Sequence, residues 1–241
     1  MHLSRGSVVR CNKTDHSELS DTVSYNMSEA PTLIILADSN GRSATAMAPL
    51  GIGAPASRPL QYLDTLHHTI RKGLASGLQV LLVASPLVAA QAHHLLAPDS
   101  VILLPESPTP GTTVCNDQMA LGVAIAVISS ARSPGWLLLP GDMPLLQTAT
   151  LSAMGKAVTQ DSLVFPEYRH RRGHPVGFSA EFYSELIRLQ RERDLQRLLA
   201  KYPARAVNVD DAGILMTQDT DTGLAVLRSV LQGHASLSVH R

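Results

Sequence analysis

Short apolar segments alternate with longer amphipathic ones through most of the chain. The apolar runs at 32–37 and 136–139 are typical of strands buried on both faces of a parallel sheet. The segment that opens at Pro59 instead repeats apolar side chains at helical spacing and stops at Gly77. This alternation predicts a three-layer α/β/α fold around a doubly wound, mostly parallel, Rossmann-like sheet.

The same pattern places the individual elements. It predicts strands at 32–37, 78–84, 100–104, 136–139, 162–166, 174–178 and 205–209, with a turn over 167–173. It predicts helices between Pro59 and Gly77 and at 87–97, 117–131, 147–158, 180–190, 194–201 and 221–232. Within 117–131, Met119 and the Ala, Val and Ile side chains of 120–128 are expected in the core.

The first 30 residues differ in character from the rest. They are polar and show no periodicity, so we expect residues 1–30 to form a disordered N-terminal extension. Residues 31–241 show neither an internal repeat nor a shift in composition, which predicts one domain. Met27 lies just before the first strand and is an alternative start, a hypothesis that N-terminal sequencing of the native protein tests.

Composition narrows the classes of partner. Lys and Arg together number 20, as do Asp and Glu, so bulk charge predicts neither a nucleic-acid nor a membrane partner. Cys11 and Cys115 are far apart and lack metal-ligand spacing, which argues against a disulfide framework or a cysteine zinc site. Without a signal-like leader or an apolar run of about 18 residues, a cytoplasmic location is expected.

An isolated acid follows the apolar run that begins at Trp136. Pro140-Gly141 ends this strand, so Asp142 lies just past its carboxyl end, where open α/β sheets bind ligands. Two interpretations are open. Asp142 caps a turn, or it holds a divalent cation against a phosphorylated substrate.

Several connections would meet at the edge of the sheet where Asp142 lies. They are 38–51, 112–123, 140–144, 169–175 and 216–220. The last of them adds a second isolated acid, Asp219. Two carboxylates together with substrate phosphates are the usual way in which a protein holds Mg²⁺.

Three motifs carry a resemblance to a known family. They are Pro140-Gly-Asp-Met-Pro-Leu-Leu146, Arg171-Arg-Gly-His-Pro-Val176 before Phe178, and Asp211-Ala-Gly-Ile-Leu215 leading to Asp219-Thr220 and Leu224. In order and spacing, the carboxy-terminal two-thirds of the chain resembles the MobA/MocA-like nucleotidyltransferases. That family joins CMP or GMP to the molybdopterin cofactor.

The resemblance implies a role for each matching residue. Asp142 and Asp219 would be catalytic and would bind Mg²⁺. The resemblance places the acceptor beside Gly173, His174 and Pro175, and we expect Arg172 to bind it as well. From their charge, residues 169–172 form either a cationic rim for an anionic acceptor or a solvated hairpin turn. Nucleotide binding is expected at Ala37, Asp38, Gly41, Arg42, Gln118 and Gly122.

The loop after the first strand departs from the family pattern. The family's Leu-Ala-Ala-Gly-x-Ser-x-Arg-Met-Gly reads Leu36-Ala-Asp-Ser-Asn-Gly-Arg-Ser-Ala-Thr45, so the acid Asp38 enters where phosphates would approach. No basic residue occurs between Arg42 and Arg58, where the family has a lysine. A glycine-rich turn and a nearby cation neutralise charge during phosphoryl transfer. The altered loop therefore predicts weak nucleotide binding and slow turnover.

The motifs and the altered loop favour two functions, and a third has less support. The first is a nucleotidyltransferase that moves an NMP from CTP or GTP to a phosphorylated acceptor such as molybdopterin. The second is a catalytically impaired relative that serves as a nucleotide- or pterin-binding module and hands cofactor to a molybdoenzyme. Asp142 and Asp219 favour the first, and the altered loop favours the second. A dinucleotide-binding domain is disfavoured because no Gly-x-Gly-x-x-Gly follows the first strand.

Overall fold

A computed structural model describes residues 30–37, 59–104 and 116–216, which form one mixed sheet with helices on both faces. The strands are β1 Thr32–Ala37, β2 Gln79–Ala84, β3 Val101–Leu103, β4 Gly135–Pro140, β5 Leu163–Tyr168, β6 Arg171–Arg172, β7 Val176–Ser179 and β8 Arg205–Asn208. The strand order is β3-β2-β1-β4-β7-β5-β6, and β8 pairs with β5. The helices are α1 Pro59–Ala75, α2 Pro86–Ala92, α3 Asn116–Ser129, α4 Thr148–Val158, α5 Tyr183–Leu186 and α6 Glu192–Lys201.

The two most apolar strands lie at the centre of the sheet. Every residue of β1 and of β4 is buried, as continuous apolar runs predict for strands covered on both faces. The two strands are parallel, with Leu36 opposite Pro140, so both chains leave the sheet at the same edge. We call this the carboxyl edge. The predicted α/β/α architecture with a mostly parallel sheet is confirmed.

The other half of the sheet is mixed. Strand β7 runs antiparallel to both of its neighbours, β4 and β5, while β8 runs parallel to β5. A two-residue turn at Arg169 and His170 reverses the chain between β5 and β6. Antiparallel strands need only such a short connection, so no helix lies between β5 and β6.

Side chains on the two faces of the sheet form two separate cores. Helices α1, α2 and α4 cover the face that carries Leu33, Ile35 and Leu137. Helices α3, α5 and α6 cover the other face, where the fully buried Trp136 lies. The Trp136 indole Nε1 donates a 2.9 Å hydrogen bond to the Ser130 hydroxyl of the α3–β4 connection, so its polar atom is satisfied inside the core.

Three sequence predictions on helices need correction. The helix predicted at 180–190 is instead a 3₁₀ turn, Ala180–Phe182, followed by the short α5. Helix α5 ends at Leu186 because the chain then turns toward Arg191, where the capping box of α6 begins. The helix predicted at 87–97 ends at Ala92, before a second 3₁₀ turn that opens with Pro98. Met119 and the Ala and Val side chains of 120–127 do lie in the core, but Ile125 and Ile128 face outward.

Some predictions lie outside the described residues. These are the disordered extension over 1–30, apart from Ala30, and the helix at 221–232. None of the helices in the described part of the chain has the length and apolar composition that a membrane span requires.

Candidate functional site

Asp142 lies at the carboxyl edge beside the end of β1. The Gly141 N–H donates a 2.8 Å hydrogen bond to the Leu36 carbonyl, which ties the turn after β4 to the neighbouring strand. A Cβ on Gly141 would lie 2.9 Å from Leu66 Cδ1 and 3.1 Å from the Leu36 oxygen, so only glycine lets the chain pass this closely. The next residue, Asp142, is fully buried.

The segment 211–215 packs directly against the turn that carries Asp142. Asp211 is buried, and its Oδ2 accepts hydrogen bonds from the Gln147 N–H at 2.8 Å and the Thr150 hydroxyl at 2.7 Å. Its Oδ1 accepts a 2.8 Å bond from the Gly213 N–H. A Cβ on Gly213 would lie 2.5 Å from the Leu145 carbonyl oxygen, which shows how closely the two motifs approach. Asp211 therefore fastens this segment to the start of α4.

The turn before β7 completes the assembly. The Gly173 N–H donates to the Pro166 carbonyl, and the His174 N–H donates to the Ile214 carbonyl, both at 3.0 Å. A Cβ on Gly173 would lie 2.3 Å from the Ile214 oxygen. The sequence motifs 140–146, 171–176 and 211–215, although far apart in the chain, thus form one packed unit.

The imidazole of His174 is held in a neutral form. The residue is partly exposed, but its Nδ1 is enclosed and has no hydrogen-bond partner among the described residues. Burial lowers the His174 pKa to about 4. Pro175, joined to it by a cis peptide bond, is buried. At neutral pH this turn presents an uncharged ring.

The hairpin before this turn is cationic and exposed. Arg171 and Arg172 are exposed, and the Arg172 guanidinium lies over the Phe165 ring at 5.7 Å. Arg169 and His170 have positive φ angles of 49° and 63°, a backbone region in which two-residue hairpin turns usually place Asn or Gly. Both interpretations of this stretch, a rim for an anionic acceptor and a solvated turn, fit this placement.

The predicted nucleotide residues on α3 occupy different surroundings. Gln118 lines an open groove together with Asp117, Leu121 and Gln190. Gly122 instead packs on the sheet, because a Cβ there would lie 2.4 Å from Val83 Cγ1. Gly122 thereby lets α3 approach β2, and its predicted contact with a nucleotide stays a prediction.

The remaining predicted residues can be placed only in part. Ala37 is the buried last residue of β1, at the carboxyl edge. Asp38, Gly41, Arg42 and Asp219 lie outside the described residues. Over 30–37, 59–104 and 116–216, no group of three or more His, Cys, Asp or Glu side chains is arranged to hold a metal ion. A site shared by Asp142 and Asp219 therefore stays a prediction.

Two features of the structure were missed by sequence reasoning. The first is the role of Asp211, whose hydrogen bonds hold segment 211–215 against the start of α4. The sequence signal for it is an acid two residues before a glycine, a spacing that favours a turn in which the side chain accepts a backbone hydrogen bond. Lys72 of α1 is half-buried; desolvation lowers its pKa, and the negative charge of Asp211 partly opposes that shift. The helical spacing of α1 could not show that Lys72 lies within the influence of Asp211.

Comparison with known proteins agrees with the motifs. The model of the family described as the MobA-like NTP transferase domain matches residues 56–209. A comparison with curated protein sequences gives no match.

Solved structures share the fold. The Rv0371c protein of Mycobacterium tuberculosis H37Rv is 22% identical, with a TM-score of 0.57 over 82% of this chain and 96% of that one. A second structure of it is a complex with manganese. The CMP:2-keto-3-deoxy-manno-octonic acid synthetase complexed with CTP is 12% identical, with a TM-score of 0.52 over 85% of this chain and 99% of that one. Since the family model covers more than half of the sequence, the chain belongs to the MobA-like NTP transferase domain family.

Proposed function

We propose that this protein is a Mg²⁺-dependent nucleotidyltransferase that moves an NMP from CTP or GTP to a phosphorylated acceptor, molybdopterin. One observation carries the proposal. The fully buried Asp142 lies at the carboxyl edge, and the motifs 171–176 and 211–215 pack into one unit with the turn that follows it. Open α/β sheets bind their ligands at this edge.

The reaction needs positioning and charge neutralisation more than a covalent nucleophile. A phosphate oxygen of the acceptor attacks the α-phosphorus of the NTP, the new P–O bond forms, and pyrophosphate leaves with the electrons of the broken bond. Asp142 and Asp219 would hold Mg²⁺, which supplies the positive charge that the leaving pyrophosphate requires. A buried carboxylate beside the end of the central strand fits such an ion. The manganese complex of a structural relative supports a divalent metal.

The remaining residues divide between the two substrates. The nucleotide would be contacted by Ala37, Asp38, Gly41, Arg42, Gln118 and Gly122. The acceptor would lie against Gly173, His174 and Pro175, with the Arg172 guanidinium facing its negative charge. The neutral imidazole fits this role, because a hydrogen bond from it to a phosphate leaves the charge balance to Arg172 and the metal. The product would pass to a molybdoenzyme.

The replacement of Asp142 by Asn tests the proposal. Isothermal titration with CTP and with GTP, each with and without Mg²⁺, would show Mg²⁺-dependent binding by the parent protein. Asp142→Asn should abolish the Mg²⁺ dependence, while Asp99→Asn, a change at an exposed acid of the α2–β3 connection, should leave it intact. Unchanged Mg²⁺-dependent binding by Asp142→Asn would reduce Asp142 to a turn cap.

An accessory function is the second candidate, and the altered loop favours it. Asp38 would repel a triphosphate, and residues 43–57 lack the cation that would balance its charge. Pyrophosphate release from CTP or GTP with molybdopterin as acceptor separates the two candidates. Binding of nucleotide or pterin without release would favour the accessory module.

A further inference from the structure

We propose that the tip of the β5–β6 hairpin is a second anion subsite for the acceptor, formed by Tyr168, Arg169 and Arg171. An acceptor that uses this subsite carries a phosphate or a carboxylate in addition to the phosphate that reacts. The subsite rests on the proposed nucleotidyltransferase function, and it narrows the acceptor to a phosphorylated molecule with a second anionic group.

The turn at the tip holds two residues in a backbone conformation that suits neither of them. Arg169 and His170 have φ angles of 49° and 63°, in the left-handed region. Two-residue hairpin turns favour Asn followed by Gly there, because Gly lacks the Cβ that crowds the next carbonyl and Asn makes local hydrogen bonds. The His170 side chain is completely exposed, so packing does not offset the strain. Backbone strain of this kind clusters at functional sites.

The tip also concentrates positive charge without an acid to neutralise it. In the part of the chain that the structure describes, no carboxylate lies within ion-pair distance of Arg169, Arg171 or Arg172. Elsewhere an exposed arginine does have such a partner, as Arg205 does in Asp161 at 2.7 Å. Three guanidinium groups within four consecutive residues repel one another, and a bound anion removes that repulsion.

Pairing across the hairpin gathers the subsite on one face of the sheet. Tyr168 and Arg171 lie directly opposite each other in the antiparallel pair, so their side chains project from the same face. The Arg169 guanidinium lies over the Tyr168 ring, 5.1 Å from its centroid, and this contact positions the cation. Tyr168 packs against the core that contains Ile214, so the subsite lies on the side where segment 211–215 packs.

The one acid of the hairpin belongs to the opposite face. Glu167 precedes Tyr168 in β5, so its side chain projects from the other side of the strand. Its carboxylate lies 3.7 Å from His170 Nδ1. Glu167 is opposite Arg172 in the pair, and the Arg172 guanidinium lies over the Phe165 ring on that face. The charges of Arg169 and Arg171 are therefore left for a ligand.

The hairpin places this subsite a short distance from the acceptor turn. Strand β7 is antiparallel to both β4 and β5, so β5 runs parallel to β4 and Tyr168 lies at the carboxyl edge. Arg172 leads directly into Gly173. The tip lies two to three residues further out, which is about 7–10 Å for a strand. The second anionic group should lie at about this distance from the phosphate that contacts Gly173 and His174.

A change of the turn separates stability from binding. Arg169→Asn combined with His170→Gly, called the turn variant below, supplies the residues that the backbone conformation favours. It should raise the melting temperature by about 2–6 °C. The same variant should bind a second anion less well, because the Arg169 guanidinium is removed. Weaker binding by a more stable protein is not a consequence of misfolding.

Two small probes measure the subsite by isothermal titration of the full chain without nucleotide. One is a bisphosphonate with a five-carbon chain, and the other is pentylphosphonate, which has the same chain and one anionic group. The parent should bind the bisphosphonate more tightly by about ten-fold, and the turn variant should bind both probes about equally. Arg193→Gln, at an exposed arginine of α6, controls for net charge and should keep the preference.

Several results would overturn the subsite. One is a preference for the bisphosphonate that the turn variant retains or that Arg193→Gln loses equally, and another is a parent protein without any preference. A turn variant with a lower melting temperature would remove the strain. Binding of polyglutamate that the turn variant loses, without a preference for the bisphosphonate, would assign the tip to an acidic protein instead.

Neither probe is a substrate, so the outcome does not depend on turnover. If the preference is observed and Asp142→Asn leaves Mg²⁺-dependent nucleotide binding unchanged, the anion subsite stands and the proposed function fails. Turnover by a parent protein that shows no preference for the bisphosphonate would support the function and remove the subsite.

Discussion

The Thr150 hydroxyl donates a 2.7 Å hydrogen bond to the Asp211 carboxylate, and both residues are buried. This bond joins the first turn of α4 to a segment 61 positions later in the chain. It connects the helix that follows the Asp142 motif to the motif that leads toward Asp219. The geometry of the candidate site therefore depends on a carboxylate that need not touch a substrate.

Asp211→Ala should destabilise the protein by about 2–4 kcal/mol, because hydrogen bonds to a buried carboxylate are stronger than neutral ones and three donors lose their acceptor. Urea unfolding followed by circular dichroism would measure the loss. Thr150→Ser keeps the hydroxyl and should cost much less than Thr150→Val. A near-zero effect of Asp211→Ala would show that segment 211–215 is held by packing alone.

Gly173→Ala should destabilise the acceptor turn by about 1–3 kcal/mol, because its Cβ would meet the Ile214 backbone, which cannot rotate away. Gly155→Ala in α4 is the matched control. There the added Cβ meets Leu78 Cδ2, the end of a flexible side chain, and alanine also favours the helix. Thermal unfolding of the two variants compares them. Equal melting temperatures would mean that segment 211–215 shifts at little cost.

His174 should make the protein lose stability as the pH falls. Its folded pKa is lowered to about 4, below the ordinary 6.5, so between these values the unfolded chain binds more protons and unfolding is favoured. The loss is absent above about pH 6.5 and approaches 2 kcal/mol at about pH 5. His174→Gln should remove this part of the pH dependence. Urea midpoints at both pH values measure it, and the shared contribution of His67, whose pKa is also lowered by burial, cancels. Parallel pH profiles would contradict the buried neutral ring.

The sequence predicted the architecture well where the pattern was unambiguous. The apolar runs of β1 and β4 leave no polar face, so both strands had to be central. The antiparallel insertion of β7 between β4 and β5 was not predicted, because strand direction follows from pairing partners rather than from hydrophobic period. The outward Ile125 was also missed, since an apolar residue on an apolar helix carries no directional signal.

The candidate site was predicted in its parts but not in its connections. The three motifs could be read from the chain, yet the bonds of Asp211 and the contact of Gly173 with Ile214 depend on tertiary geometry. The contact between His67 and His94, whose rings meet edge to face at 5.0 Å, depends on tertiary geometry in the same way. Residues distant in sequence give no such proximity signal without a fold.

The charge of the loop after β1 should decide how active the site is. Without a cation in 43–57, NTP binding should be weak and strongly dependent on Mg²⁺, which must supply the neutralisation that this stretch lacks. The combined change Asp38→Ala, Ser39→Gly and Ala48→Lys should raise kcat/KM for pyrophosphate release by about 100- to 1,000-fold, since one phosphate-stabilising donor is worth about 2.7–4 kcal/mol.

The parent chain and this triple variant would be assayed side by side with CTP and GTP. A rise confined to the triple variant would mean that Asp142 and its surroundings form a competent site limited by loop charge. Ordinary turnover by the parent would show that the altered charge of the loop costs less activity than expected. If both proteins fold and neither turns over, repairing the loop is not sufficient, and the accessory function becomes the better explanation because the acceptor turn would remain intact for binding.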